Sequence, residues 1–265
     1  MPFIELQSVD STNNYALARI HAGLAQDGEA IFAHEQVAGK GQRGKQWTAE
    51  KNANIFMSLL VKQPPFPLEQ QFRLSVCTAV AVHSFFSNYA GEDTKIKWPN
   101  DLYWQDRKAG GILIESVIGS SASVKKETVA EAGNEKFNTQ WQWAVVGIGI
   151  NCNQTVFPGD LRNPVSLKQI TGRRFDVMAL AKELQSIFHD QLAKTTNNFD
   201  ELWAYYLDTL YKKNQPVKLK KDSRVFEAVI KTVLPSGQLL VQHSMEEAFD
   251  FGQVEWVINS PQSNR

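Results

Sequence analysis

The segment Gly39–Gly44, "GKGQRG", has the spacing G-x-G-x-x-G, and the residues on either side of it decide which folds are open to the chain. In a dinucleotide-binding unit that spacing lies between a strand and a helix, with an acidic residue roughly 20 positions further on. A strand does precede it, since "EAIFAHE" (Glu29–Glu35) has strand-like alternation. No helix comes after it. The residues beyond Gly44, "KQWTAEKNAN", show no helical apolar period, and "IFMSLLV" (Ile55–Val61) is an apolar run of strand length without an acidic residue. The unit is strand, basic glycine loop, strand, so a doubly wound dinucleotide fold is excluded here. Gly39, Gly41 and Gly44 free the backbone to approach a ligand, and Lys40, Arg43 and Lys45 bring cations. Backbone N–H groups with Lys or Arg make an anion site without a helix. A solvated basic hairpin loop has the same composition.

The remaining segments arrange themselves around this loop. "FIEL" predicts a short first strand and "DSTNNYALARI" a helix with Asp10 or Ser11 as N-cap. Strands are predicted at 29–36 and 54–61, and a long buried helix at Leu68–Tyr89. "TKIKW", stopped by Pro99, then "AGGILIESVI" and "WAVVGIGIN" (Trp143–Asn151) read as further strands. Gly119–Gln140 is polar and aperiodic, which predicts an exposed, mobile hairpin excursion. "VMALAKELQSIFHDQL" is amphipathic, and a second helix is expected at about 198–211. From Pro216 the texture changes to short strands and turns, about five in about 45 residues, the size of a small SH3-like barrel. A boundary near 213 divides residues 1–212 from 213–265.

Bulk properties narrow the function classes. The 265 residues suffice for one or two domains. With 28 basic and 28 acidic residues there is no nucleic-acid footprint over the whole chain. Cys77 and Cys152 lie far apart and no C-x-x-C occurs, which fits free thiols in a reducing compartment. No apolar run approaches the roughly 18–20 residues of a membrane span, and "MPFIELQSVDS" is not a secretion signal. The expectation is a cytoplasmic protein without membrane contact.

Other segments offer chemistry, each beside a plainer reading. In "KIKWPNDLYWQDRKAGGILIES", Lys97, Asn100, Asp101 and Lys108 surround a strand–turn–strand, and Gly110 and Gly111 let a ligand lie against the backbone. "WPND" is equally a turn and "DRK" a loop tip. Gly147 and Gly149 share one strand face, bared for a flat ligand or for close helix packing. Ser11–Asn14 is a helix cap or a set of short polar groups for a neutral ligand. The five histidines are scattered without a zinc spacing. No G-x-S-x-G is present. Cys77 and Cys152 read as core residues.

Taken together, "DSTNNYA", "EQVAGKGQRGKQW", "NIFMSLLV", "IKWPNDLYWQDRKAGGILIES", "VVGIGINCN" and the tail "PVKL…GQLLVQ…FGQVEW" resemble the biotin protein ligases over almost the whole chain. The resemblance implies an α+β catalytic domain like that of class II aminoacyl-tRNA synthetases, a mixed sheet with helices on one side, and then the small barrel. It implies that biotin and ATP form biotinyl-AMP, and that the biotinyl group then passes to a lysine of a biotin carboxyl carrier domain. By resemblance Lys108 neutralises the carboxylate and the α-phosphate, and Lys40 and Arg43 bind phosphate from the loop. Ser11, Thr12, Asn13 and Gln36 complement the ureido ring, Gly39 and Gly41 give the loop its close approach, and Gly111 lets the biotin chain pass. Trp47 stacks on adenine and Asn151 bonds its edge. Mg2+ comes with the nucleotide, with Asp101 as the candidate protein carboxylate.

The chain departs from the family in three places. Many members carry a second arginine where Gln42 stands, which leaves the individual phosphate contacts of Lys40 and Arg43 open. The excursion at 119–140 is longer than the family implies. The first strand begins by residue 3, so no N-terminal DNA-binding domain and no repressor role are expected. The rival readings are a lipoate or octanoate ligase of the same fold and a non-catalytic biotin-binding module. The loop sequence and tail favour biotin over lipoate, and the joint presence of Lys40, Arg43 and Lys108 favours catalysis.

Overall fold

The computed structural model describes residues 1–120, 139–159, 163–195 and 198–257. In chain order its elements are β1 (Phe3–Leu6), α1 (Thr12–His21), β2 (Ala30–Ala33), β3 (Asn54–Lys62), α2 (Phe72–Ala90), β4 (Thr94–Lys97), β5 (Asp101–Trp104), β6 (Arg107–Ser120), β7 (Thr139–Asn151), α3 (Leu167–Thr171), α4 (Val177–Thr195), α5 (Phe199–Asp208), β8 (Pro216–Lys221), β9 (Arg224–Val233), β10 (Leu239–Gln242), β11 (Glu246–Phe249) and β12 (Glu255–Trp256). The first seven strands form one sheet in the order β1-β2-β3-β7-β6-β5-β4. β1 is parallel to β2 and the other neighbours are antiparallel, so the sheet is mixed. The glycine loop joins β2 to its antiparallel neighbour β3, as its flanking sequence predicts.

Alternation along β3 and β7 sorts the core into two layers. Ile55, Met57, Leu59 and Val61 on β3, with Ala144, Val146, Ile148 and Ile150 on β7, join the buried faces of α2 and α4. Each large aliphatic side chain fully buried there contributes roughly 1.5–3 kcal/mol. On the opposite face Ile31, Leu60 and Val145 would stand in water, and α1 covers them through Ala16. The helices are therefore not all on one side, as the resemblance implied: β2, β3 and β7 are apolar on both faces, and the second face needs its own cover. Beyond α1 that face carries Ser58, Gly147 and Gly149, and the candidate site lies over them.

β8–β12 form a second, wholly antiparallel sheet in the order β11-β10-β9-β8-β12. Its buried Leu219, Ile230, Leu239, Val241 and Phe249 continue the main apolar cluster. Trp98 bridges the two sheets: its Nε1 donates to Gly237 O at 2.8 Å, and its ring meets Phe251 edge-on at 6.2 Å.

Several boundaries differ from expectation. β2 ends at Ala33 because the chain then runs beside residues 6–10, with His34 N donating to Leu6 O and Val37 N to Val9 O. The five-residue α3 is announced by no apolar period; a capping box between Ser166 and Gln169 opens it. α5 is shorter than predicted, Phe199–Asp208. Most of the polar excursion falls outside the described residues, although its stems pair out to Ser120 and Thr139. Cys77 and Cys152 are buried free thiols, and burial pushes each up to about 12, so neither is a nucleophile. Among the described residues no helix is long and apolar enough to cross a membrane.

Candidate active site

Four pieces of chain meet on the sheet face beside α1. The first is the N-terminus of α1. Ser11 is its N-cap in extended conformation (φ −154°), but its hydroxyl makes no capping bond. Thr12 turns inward, and both its N–H and its hydroxyl donate to Gln36 Oε1, at 2.7 and 3.1 Å. That satisfies the Gln36 oxygen and leaves its amide nitrogen as the group with capacity to spare. Just before the helix, Asp10 is held below the usual carboxylate range by the amide of Asn14, so a negative charge sits at the positive end of the helix.

Asn13 is spent on the protein itself. Its Oδ1 accepts from Ser58 Oγ at 2.6 Å, and its Nδ2 donates to Glu115 Oε2 at 2.7 Å and to Leu113 O at 3.3 Å. It is a strut tying α1 to β3 and β6. A Cβ on Gly147 would lie 2.4 Å from Asn13 Oδ1, so Gly147 makes room for this strut.

The second piece is the loop, closed by Trp47 N donating to Gly39 O and Gly41 N donating to Lys45 O. A Cβ on Gly39 would stand 2.4 Å from Trp47 O, so the tight return requires glycine. Gln42–Gly44 form a single helical turn in which Arg43 is left-handed, at φ 57°. The side chains then diverge. Lys40 Nζ lies 3.5 Å from Glu115 Oε1. Gln42 Nε2 donates to Ile112 O at 3.4 Å. Arg43 turns to the C-terminal sheet, donating from Nη1 to Gly252 O at 3.3 Å. The Trp47 indole lies on the glycine face, with Cε2 2.9 Å from the Cβ position of Gly149 and Cζ3 3.2 Å from that of Gly111. At Gly147 and Gly149 alike, the bared face receives side chains of this chain.

The third piece is the β5–β6 hairpin. Leu102 pairs with Gly110 and Tyr103 with Lys108, so Ala109 is an unpaired bulge. Simple alternation would put Lys108 and Gly111 on opposite faces; the extra residue brings both to the site face. Lys108 Nζ donates to Asp101 Oδ1 at 2.6 Å and sits 5.5 Å from the Trp47 ring centre. The fourth piece is β7, which brings Gly147 and Gly149.

These pieces enclose a cavity of ≈ 60 Å³. Ser11, Thr12, Asn13, Gln36, Lys40, Gly41, Trp47, Lys108 and Gly111 line it, as do Gln42, Asn100 and Asp101. Gly39, Arg43 and Asn151 do not line it. Asn151 stands behind the wall, its Nδ2 donating to Val165 O at 3.1 Å and Lys108 O at 3.4 Å. Sequence reasoning missed Ser58 and Glu115. Ser58 is the only polar residue in the apolar run "IFMSLLV", a signal that was there to be read. Two buried polar atoms at the cavity have no partner, the acceptor Gln42 Oε1 and the donor Trp47 Nε1. A buried, unpaired polar group is costly, so both favour a polar ligand. Among the described residues no group of three or more His, Cys, Asp or Glu could hold a metal ion.

The fold is α+β, and its cavity is lined by neutral hydrogen-bonding groups of Thr12, Asn13 and Gln36 together with the ammonium groups of Lys40 and Lys108. Residues 5–126 match the model of the Biotin/lipoate A/B protein ligase family. It is 37% identical over 110 residues to the bifunctional ligase/repressor BirA of Escherichia coli (strain K12), a match covering 42% of this chain and 33% of that protein. It is 28% identical over 245 residues to the biotin--[acetyl-CoA-carboxylase] ligase of Paracoccus denitrificans, covering 89% of this chain and 92% of that one. The structure of biotin protein ligase from Aquifex aeolicus in complex with biotin and ATP is similar in fold, with TM-score 0.75, 22% identity and coverage of 97% and 99%. The chain spans 33% of the Escherichia coli BirA and 58% of the Bacillus spizizenii one.

Proposed function

We propose that the chain is an ATP-dependent biotin protein ligase, which forms biotinyl-AMP and transfers the biotinyl group to a lysine of a biotin carboxyl carrier domain. The observation that carries this reading is the lining of one cavity, to which Thr12 and Gln36 bring neutral polar groups, Lys108 an ammonium, and the basic glycine loop Lys40, Gly41 and Gln42. Biotin has the matching form, a neutral ureido ring and a carboxylate at the end of an apolar chain. Joining a carboxylate to the α-phosphate of ATP brings two anions together, and a fixed ammonium beside both lowers that barrier. Lys108 takes this role. The carboxylate oxygen bonds to phosphorus, pyrophosphate leaves, and the carrier lysine then displaces AMP from the mixed anhydride.

The loop supplies the remaining cations by moving. Lys40 exchanges Glu115, and Arg43 exchanges Gly252 O, for phosphate oxygens, and the loop shields the anhydride from water. Trp47 leaves the glycine face to stack on adenine, and Gly111 gives the biotin chain its path. Asn13 holds α1 to the sheet at the cavity wall, Asn151 supports the wall from behind, and an adenine contact by Asn151 requires release of one backbone carbonyl. Mg2+ fits as the companion of the nucleotide, held by its phosphates, because the described residues offer no carboxylate cluster. In finer fold terms, the mixed sheet supports kinship with class II aminoacyl-tRNA synthetases. The antiparallel strands from Pro216 support an SH3-like barrel, with the boundary at the turn where Lys212 and Asn214 have positive φ. A cytoplasmic location accords with the substrates.

The test is incubation with ATP, Mg2+, biotin and a carrier domain, and then the intact mass of the carrier. A gain of one biotinyl group supports the proposal. A gain of lipoyl or octanoyl groups when those acids are offered, and none with biotin, assigns the chain to the lipoate branch of the family. Biotin binding without transfer leaves a binding module.

A further inference from the structure

We infer that Asp101 is the positioning residue for Lys108, acting on the activation step through that lysine; the inference rests on the ligase reading above. Asp101 opens β5, directly opposite Gly111 on β6. Its carboxylate is divided between two ammonium groups. Lys108 Nζ donates to Oδ1 at 2.6 Å, and Lys97 Nζ lies 4.0 Å from Oδ2. Lys97 is in turn held 4.9 Å from the Tyr103 ring and 5.1 Å from the Trp256 ring, in the range of cation–π attraction. The side chain of Asp101 is 17% exposed and that of Lys108 32%. Asp101 is thus anchored from behind while Lys108 reaches forward to the cavity.

This arrangement answers a physical problem. A lysine ammonium is a point charge on a flexible four-carbon stem, and alone it would be spread over many positions. The bulge at Ala109 fixes where that stem starts, and a short charge-assisted hydrogen bond to an immobile carboxylate fixes where it ends. Two lysines against one carboxylate leave one positive charge in the cluster, so it still attracts an anion. The ammonium stands in place before the substrates meet, which is the condition under which electrostatic stabilisation is effective.

The experiment compares wild type, Asp101→Ala, Asp101→Asn, Lys108→Ala and the Lys108→Ala/Asp101→Ala double variant. Biotin-dependent exchange of pyrophosphate into ATP is read as turnover and KM. The reactivity of Lys108 toward an amine-acetylating reagent is read by peptide mass. Asp101→Ala lowers turnover roughly 10²-fold, the scale of a displaced reacting group. The KM for biotin stays close to wild type, because Thr12 and Gln36 are untouched. Asp101→Asn keeps an oxygen acceptor and recovers part of the loss. In the Lys108→Ala background, Asp101→Ala costs nothing further, and in the single Asp101→Ala variant Lys108 acetylates faster than in wild type. Lys108 acetylation that does not change overturns the inference, whatever the activity. So do losses that multiply in the double variant, as they would if Asp101 held Mg2+. If wild type shows no exchange with biotin, it is the ligase reading that fails, and Lys108 acetylation alone decides the pairing.

Discussion

Replacing Gly147 by alanine tests the strut that holds α1 against the sheet. The new methyl would stand 2.4 Å from Asn13 Oδ1 and 3.0 Å from both Cγ and Nδ2, closer than non-bonded atoms tolerate. Asn13 cannot give way cheaply, because its amide bonds Ser58, Leu113 and the Glu115 carboxylate. Overpacking costs typically 1–3 kcal/mol, and losing a hydrogen bond to a charged group costs about 1.5–3 kcal/mol. We expect destabilisation of about 3 kcal/mol or more, which for a chain of this size lowers Tm by roughly 6–10 °C. Urea unfolding of wild type, Gly147→Ala, Asn13→Ala and the double variant reads the coupling. Since Asn13→Ala removes the atoms the methyl strikes, the double variant should be more stable than the sum of the singles predicts, by about 1–3 kcal/mol. Additive losses, or a Gly147→Ala protein as stable as wild type, would show that Asn13 does not lean on Gly147.

The site and its surroundings yield three further predictions. Lys108→Ala should lower biotin-dependent adenylate formation roughly 10²–10³-fold, the scale of losing one transition-state donor, without lowering Tm; a normal rate would remove Lys108 from its assigned role. Hydrogen exchange of amides 38–47 should slow when a non-hydrolysable biotinyl-AMP analogue binds, as Lys40 and Arg43 trade Glu115 and Gly252 O for phosphate; unchanged protection would make the loop a rigid cradle. His83 is held below the ordinary histidine range by burial, in a neutral form that donates to Thr94 O and accepts from Tyr205 OH. Its contribution to stability is complete above the unfolded value of about 6.5 and is lost as pH falls through the lower folded value. His189 is depressed in the same sense, so His83→Gln should reduce the slope of stability against pH in this window rather than abolish it. A slope unchanged by the substitution would refute the assignment.

What the sequence makes legible is set by the range of the interactions involved. The strand–loop–strand unit could be read because local period and glycine content decide it; β3 appears close to its predicted limits, and β7 ends where predicted but begins four residues earlier, at Thr139. Ser11, Thr12, Gln36, Trp47 and Lys108 could be named by resemblance, and the fold does bring them to one cavity. The bulge that aims Lys108 could not be read, because Ala109 is an ordinary strand residue until its neighbours are paired. The destination of Arg43 was equally hidden, since its acceptor lies 209 residues away, on a turn of the second sheet. Glu115 carries no local signal of a role in its strand. Only the placement of α1 on the second face shows that it bonds Asn13.

The central claim is that this cavity activates biotin, and not a related acid, at the α-phosphate of ATP. It is tested most directly by exchange of labelled pyrophosphate into ATP, with biotin, lipoate or octanoate supplied in turn and no carrier protein present. The account predicts exchange with biotin alone, abolished when the biotin is omitted. Exchange supported equally by lipoate or octanoate, or none with biotin under conditions where calorimetry shows it bound, would contradict the account.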